Sequence, residues 1–305
     1  LMAVVALAPL AGEETDAAVG DGGAYSYTLT YNSAQMSNTA AQETQLTVAD
    51  MTPISHASGT NTLSALANVG SWGWNTTTGI GPFNSFYAAF DATNGNSFVS
   101  ILNPYDLSKK INGVALDDIT KYNIMWVLPT VYWSVDNSGN VTLTNDSTAG
   151  GTAYAHTIDS HVYNYIAYGV YEGSTITDGS TTLLVSKSGA NPVVSKDKSA
   201  FRTYASNYVM DSTLGTNADS MLWNWYQWQL YRLCSFTVME GFDSQSIVGS
   251  GWTENSTIVH ATGTLDNYGP YAGSPGGYAN NAVKLFIENA WGGASEYIDG
   301  IYLYN

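Results

Sequence analysis

Few residues in this chain have the type and spacing that catalysis or metal binding requires. The four histidines, His56, His156, His161 and His260, form no H-E-x-x-H pair. His156 and His161 are five apart, which on a strand places them on opposite faces, so they make no paired zinc ligand set. Asp159, Ser160 and His161 are the residue types of a hydrolase triad, but triad members meet through the fold rather than as sequence neighbours. Asp117 and Asp118 are adjacent carboxylates of the kind that sit in solvated turns, and no glycosidase is built on them. Cys234 is the one cysteine, so it makes no internal disulfide and no cysteine-based zinc site. Its neighbours Leu233, Ser235 and Phe236 supply no base, so it reads as a small buried hydrophobe. G-x-S-x-G and the phosphate-cradling G-x4-G-K-[ST] are both absent. These residues point away from an enzyme.

The elements that would position any site come next. The chain has 305 residues, enough for one large or two ordinary domains. Charged residues make up 11% and aromatic residues 13%, which rules out a disordered chain. Tyrosine alone accounts for 22 residues, set among Ser, Thr, Asn and Gly, a mix that suits β-strands and binding faces. Net charge is −16 with nine Lys and Arg, so a phosphate backbone is repelled and nucleic acid is excluded as a partner. No apolar run reaches the roughly 20 residues of a transmembrane helix. Residues 1–12, LMAVVALAPLAG, have the length of a secretory h-region, with a small-residue cleavage site at 15–18. Residues 13–23 then read as an acidic, Gly-rich linker.

Residues 24–155 form a β-rich N-terminal region. Strands are expected at 24–31 and 45–48, and a buried strand pair at 123–128 and 130–133 is interrupted by Pro129. The turn D-N-S-G at 136–139 predicts a hairpin between 131–135 and 141–144. A short helix is expected at 104–110. Beyond residue 155, strands are expected at 161–171, 181–186, 283–288 and 297–304, with a helix at 199–209. The densest aromatic stretch reads LWNWYQWQLYRLCSFTVMEGFDSQSIVGSG over 222–251. Its spacing predicts a buried helix over 221–240, N-capped by Asp219 or Ser220 and closed by Gly241. Leu222, Trp225, Gln229 and Arg232 share one face of it, and Trp223, Tyr226, Leu230 and Leu233 an adjacent one. After it a Gly-, Ser- and Thr-rich stretch to residue 277 reads as a long surface loop of the kind that carries function.

These pieces together resemble a known family. The Trp-rich helix, D-S-Q-S-x2-G-S-G at 243–251, I-E-N-A-W-G at 287–292 and S-E-Y-I-D-G at 295–300 resemble the C-type-lectin fold. The nearer branch is that of formylglycine-generating-enzyme-like domains, found on phage tails and variable surface proteins. Y-G-V-Y-E-G-S at 168–174, S-K-S-G-A-N-P at 186–192 and R-T-Y-A at 202–205 resemble that branch's opening segments. The resemblance covers residues 156–305, about half the chain. It implies an α+β, mostly β architecture: a C-type-lectin-like domain with one Trp-rich helix, preceded by the β-rich region. It also places the ligand face on the long loop, where Tyr268, Tyr271, Tyr278, Asn280 and Asn281 are the candidate contacts. The segment matching 292–297 holds calcium in the family. Here Glu296 is retained, while Gly293 stands at the Asn position and Ser295 at the first Trp, which leaves calcium open with Glu296 as its ligand. The alternative role for Glu288, Asn289 and Glu296 is to hydrogen-bond loops inside the fold. The family's catalytic members use a cysteine pair, which one cysteine cannot supply.

The reading reached from sequence is a secreted or cell-surface binding or adhesion protein, non-catalytic and needing no cofactor. Its partner would be a protein or glycan. Two alternatives remain open: a subunit of a surface layer, sheath or virion fibre, and a glycan-active enzyme. Glycosylation sequons at Asn75, Asn140, Asn145 and Asn255 are compatible with the first of these alternatives.

Overall fold

The computed structural model describes residues 3–7, 26–31, 46–48, 55–56, 63–64, 74–93, 97–208, 220–252, 259–273, 281–293 and 298–299. They are mostly β, with three helices. The backbone of the architecture is the strand Tyr122–Pro129, YNIMWVLP. Its near-continuous apolar run suits a strand covered on both faces. Ile124, Trp126 and Leu128 point into the main core, and Met125 and Val127 into a smaller one on the opposite face. Alternation along a strand divides the side chains in this way.

Six further strands extend the sheet, all antiparallel. The spatial order is Ser220–Leu222, Ala3–Leu7, Tyr165–Gly169, Tyr122–Pro129, Phe86–Asp91, Phe98–Asn103, Asp106–Lys110. Residues 3–7 are a strand hydrogen-bonded on both edges, to 165–168 and to 220–222. The boundary expected near residue 155 disappears. Strands from both sides of it share this sheet, and one aromatic core runs from Tyr27 to Ala290.

A second, four-stranded sheet packs one face into the same core. It contains the hairpin Tyr132–Val135 and Val141–Thr144, paired Val135 to Val141, and the strands Ser26–Tyr31 and Leu46–Val48. The 136–139 turn forms as expected: the Asp136 carboxylate accepts from the N–H of Ser138 and of Asn140. Tyr27, Leu29, Trp133, Val141 and Leu143 face inward, while Thr28 and Thr142 share a hydroxyl hydrogen bond on the outside. The 123–128 and 130–133 segments are therefore not a strand pair. Pro129 ends the first strand, and the chain crosses to the other sheet.

Residues 104–110 form no helix. Asn103 and Asp106 close a turn in which Asn103 accepts from the N–H of Tyr105, and Asp106–Lys110 returns as an edge strand. Asn-Pro at the first two positions of a turn favours this outcome over a helix. Asp159 and Ser160, both at positive φ, are the two-residue turn of a small hairpin whose flanking residue is His161. That geometry makes no triad. Asp118 caps the short turn that follows it, and Asp117 bonds Lys121 and Tyr122.

Helix α1 spans Lys198–Ser206 and is capped by Asp197. Helix α2 spans Trp225–Met239, four residues shorter at its start than the aromatic spacing implies. Residues 220–222 are drawn out as a strand by pairing with residues 3–5. Asn224 then caps the helix, accepting from the N–H of Gln227 while Gln227 Oε1 accepts from the N–H of Asn224. Glu240, at φ 49, takes the left-handed position expected of Gly241. Helix α3 spans Ser244–Ile247. On α2, Leu230, Tyr231, Leu233, Cys234, Val238 and Met239 are all buried, and burial pushes the Cys234 thiol well up. No helix among the described residues is long and apolar enough to cross a membrane.

Burial also governs His156. Its Nε2 donates to the Leu128 carbonyl at 3.2 Å, and loss of solvent lowers its pKa to about 4. The folded chain thus refuses a proton that the unfolded chain accepts near pH 6.5. The stability that neutral His156 contributes is complete above about pH 6.5 and is lost as pH falls toward 4. At about 1.4 kcal/mol per pH unit, the window is worth about 3 kcal/mol. Urea titrations of wild type and His156→Gln across pH 4–7 should show the difference in their stabilities shifting against wild type by that amount as pH falls. Parallel curves would show that His156 is not the group responsible.

Candidate ligand-binding face

Four of the segments that carried the family resemblance lie far apart in sequence but meet in space. Ser186 Oγ accepts from the N–H of Tyr171 at 2.9 Å, joining 168–174 to 186–192. The N–H of Glu288 donates to the Val170 carbonyl at 2.7 Å, joining 287–293 to the same point. Asn289 Nδ2 donates to Glu172 Oε2 at 3.3 Å. Trp291 Nε1 donates to the Gly249 carbonyl at 2.9 Å, bringing in 243–251. A Cβ on Gly251 would lie 2.6 Å from the Trp291 carbonyl oxygen, so this close approach requires glycine.

At the junction lies a buried polar cluster. Glu172, Asp266, Lys284, Glu288 and Asn289 are all buried. Residues 283–288, expected as one strand, are a tight hairpin of Lys284–Leu285 and Ile287–Glu288, turned at Phe286 with φ 63. The hairpin brings Lys284 opposite Glu288. Glu288 Oε1 accepts from the N–H of Gly263 at 2.8 Å, and Oε2 from the N–H of Leu265 at 3.1 Å. Asp266 accepts from the hydroxyls of Tyr171 and Ser188. Lys284 Nζ donates to the Leu265 carbonyl at 3.3 Å and lies 5.6 Å from the Tyr87 ring centre.

The electrostatics follow from exclusion of water. Burial pushes the Glu288 carboxyl up to about 7, against the pull of Lys284 and the two N–H donors. Burial also lowers the Lys284 ammonium, while Asp266 and Glu288 hold it up. In Glu288 and Asp266, both carboxylate oxygens accept a hydrogen bond from the chain itself. Their chemistry is positional: they pin residues 263–266 to the core. This is the role that the sequence left open for Glu288 and Asn289, whose Oδ1 also accepts from the N–H of Val283.

The pinned loop carries Tyr268 to the surface, 38% exposed. Beside it, Tyr105 is 39% exposed. A Cβ on Gly269, at φ +80, would lie 3.2 Å from Tyr105 Cδ1, so the two segments are in contact. The N–H of Leu107 donates to the Asp266 carbonyl at 3.1 Å and locks the two together. Sequence reasoning missed Tyr105 because residues 104–110 read as a helix. The signal was present as an aromatic at the tip of an Asn-Pro turn.

The other expected contacts fare differently. Tyr271 is 1% exposed, and its hydroxyl accepts from Trp74 Nε1 at 3.3 Å, so it belongs to the core and not to the face. Asn281 is exposed. Tyr271 pairs with Leu285 in an antiparallel ladder, so Tyr268 and Asn281 leave that ladder at opposite ends. The structure does not bring them together. Tyr278, Asn280 and Glu296 lie outside the described residues, as does the strand expected at 297–304.

Among the described residues no group of three or more His, Cys, Asp and Glu could hold a metal ion. Gly293 has φ +90, and a Cβ there would lie 3.0 Å from Glu172 Oε1. Glycine is required at that position, so it offers no side chain to a metal. Comparison with known proteins gives no match: no family model, no curated protein and no solved structure matches the chain.

If Glu288 pins the loop, Glu288→Ala strands two buried N–H groups and removes a counter-charge from Lys284. The expected loss is about 3–5 kcal/mol in urea denaturation, with faster proteolysis within 259–273. Stability within about 1 kcal/mol of wild type would remove the carboxylate from this role.

Proposed function

We propose that the chain is a non-catalytic binding protein that presents a ligand face built around Tyr105 and Tyr268. One observation carries the reading: Tyr105 and Tyr268, each more than a third exposed, lie on adjoining segments that a buried carboxylate network holds in place. A rigid aromatic pair offers large contact area at little cost in conformational entropy. The ionic groups of the cluster are buried and turned to the chain's own N–H and O–H groups, so the cluster supports the face.

The scaffold reading is a C-type-lectin-like domain of the formylglycine-generating-enzyme-like branch, and the meeting of the four resembling segments around Glu172 and Glu288 supports it. The partner class is a protein or glycan at a surface. A secreted or cell-surface setting suits a chain of −16 net charge, 11% charged residues and one buried cysteine. Gly293 argues for binding that needs no calcium.

The test is a glycan array and a panel of immobilised cell-surface proteins, probed with wild type and with the Tyr105→Ala/Tyr268→Ala double variant, each with calcium and with chelator. Wild type should bind at least one member in both conditions, and the double variant tenfold or more weaker, since truncating an anchoring aromatic costs about 1–2 kcal/mol or more. Both side chains are more than a third exposed, so the unfolding midpoint should not move. Undiminished binding by the double variant would sink the proposed face.

A further inference from the structure

A second aromatic surface lies where the four-stranded sheet meets the start of α2. The Trp133 and Tyr154 ring centres are 5.0 Å apart, and the Tyr154 and Tyr226 rings stack at 5.2 Å with 19° between their planes. Three separate elements supply these rings: the Tyr132–Val135 strand, the short Tyr154–His156 turn and the first turn of α2. Trp133 is buried and forms the base. Tyr154 is 39% exposed, Tyr226 48%, and Trp225, at the helix start, 45%. Among the described residues these are some of the largest exposed aromatic side chains. Each support is locked. Trp133 bridges Thr152, and the adjacent Gly151, at φ +104, leaves a Cβ only 3.0 Å from the Trp133 backbone. The capping box at Asn224 and Gln227 fixes the helix start.

We propose that this platform is a binding site for the hexose rings of a neutral glycan. It does not rest on the face at Tyr105 and Tyr268. Size is the first argument. With aromatic side chains of roughly 150–250 Å² each, the exposed parts of Tyr154 and Tyr226 sum to roughly 170 Å². A stable protein interface buries about 800 Å² on each partner, so the platform is too small for one but suits stacked sugar rings. Chemistry is the second. The face of an aromatic ring is electron-rich, and the C–H groups on the flat side of a pyranose are weakly positive, so the two stack. Charge is the third. Residues 131–135, 149–156 and 224–229 carry no Asp, Glu, Lys or Arg. With no cation on the platform and −16 overall, uronic or sialic acids are disfavoured and neutral sugars are not.

The test uses the full chain and isothermal titration with cellohexaose, chitohexaose and mannohexaose, with hexagalacturonate as the acidic probe. Wild type should bind at least one neutral hexaose in the micromolar to millimolar range and hexagalacturonate at least tenfold more weakly. Tyr226→Ala and Tyr154→Ala should each weaken neutral binding tenfold or more, and Tyr226→Phe, which keeps the ring, should stay within threefold of wild type. Tyr105→Ala/Tyr268→Ala should leave this binding unchanged, which separates the two sites. Both platform side chains are more than a third exposed, so circular dichroism should show all variants folded. No wild-type binding to any neutral hexaose at millimolar concentration would overturn the proposal. So would neutral binding that survives both platform substitutions, or that disappears with the Tyr105/Tyr268 pair.

Discussion

The structure around the candidate face depends on one carboxylate held out of water. Glu288 takes two backbone N–H groups from residues 263 and 265 while facing Lys284 across a hairpin. A charge in that setting is costly unless it is hydrogen-bonded and a counter-charge is near. Here each carboxylate oxygen accepts one backbone N–H, and Lys284 lies across the hairpin. The cost of leaving these groups unpaired is what makes the arrangement specific, since a loop that slipped by one residue would strand the carboxylate, the ammonium or both. A Gly-, Ser- and Thr-rich segment has little apolar surface of its own to anchor it. Here buried polar groups do that work, together with Leu265 and Ala272.

That cluster in turn needs a wall to exclude water, and the central sheet provides it. The Tyr122–Pro129 strand is buried on both faces, with Trp126 stacked against Phe286 at 4.4 Å on the side of the cluster. Phe286 is the turn residue of the hairpin that carries Lys284 and Glu288, so the aromatic core and the ionic cluster share a side chain's neighbourhood. Tyr87 joins them again: its hydroxyl donates to the Phe286 carbonyl at 2.6 Å, and its ring lies under Lys284. Residues as distant as Tyr87, Glu172 and Glu288 form one unit, which is why the chain does not divide near residue 155.

The two surfaces assigned to ligands use aromatic side chains that this core leaves over. Tyr105 and Tyr268 are positioned by the pinned loop, whereas Tyr154 and Tyr226 are positioned by the junction of sheet and helix. Neither surface lies on a flexible terminus, and both have their backbones tied down by hydrogen bonds. Preorganisation of this sort reduces the entropy lost on binding, which matters most for small ligands with few contacts.

The sequence by itself determined what depends on local pattern. It revealed the D-N-S-G hairpin, the mostly β character and the buried place of Cys234, because turn chemistry, alternation and residue type act over a few neighbours. It also marked Glu288 and Asn289 as candidates for loop-holding. Tertiary structure decided the rest. The start of α2 moved from 221 to Trp225 because residues 220–222 pair with a strand more than two hundred residues earlier, and no local signal reports that partner. Tyr271 and Tyr268 are chemically alike and three apart, yet one fills the core and the other meets solvent. The difference lies in Trp74, Phe286 and the register with Leu285, contacts that close long loops and are invisible in a window of sequence.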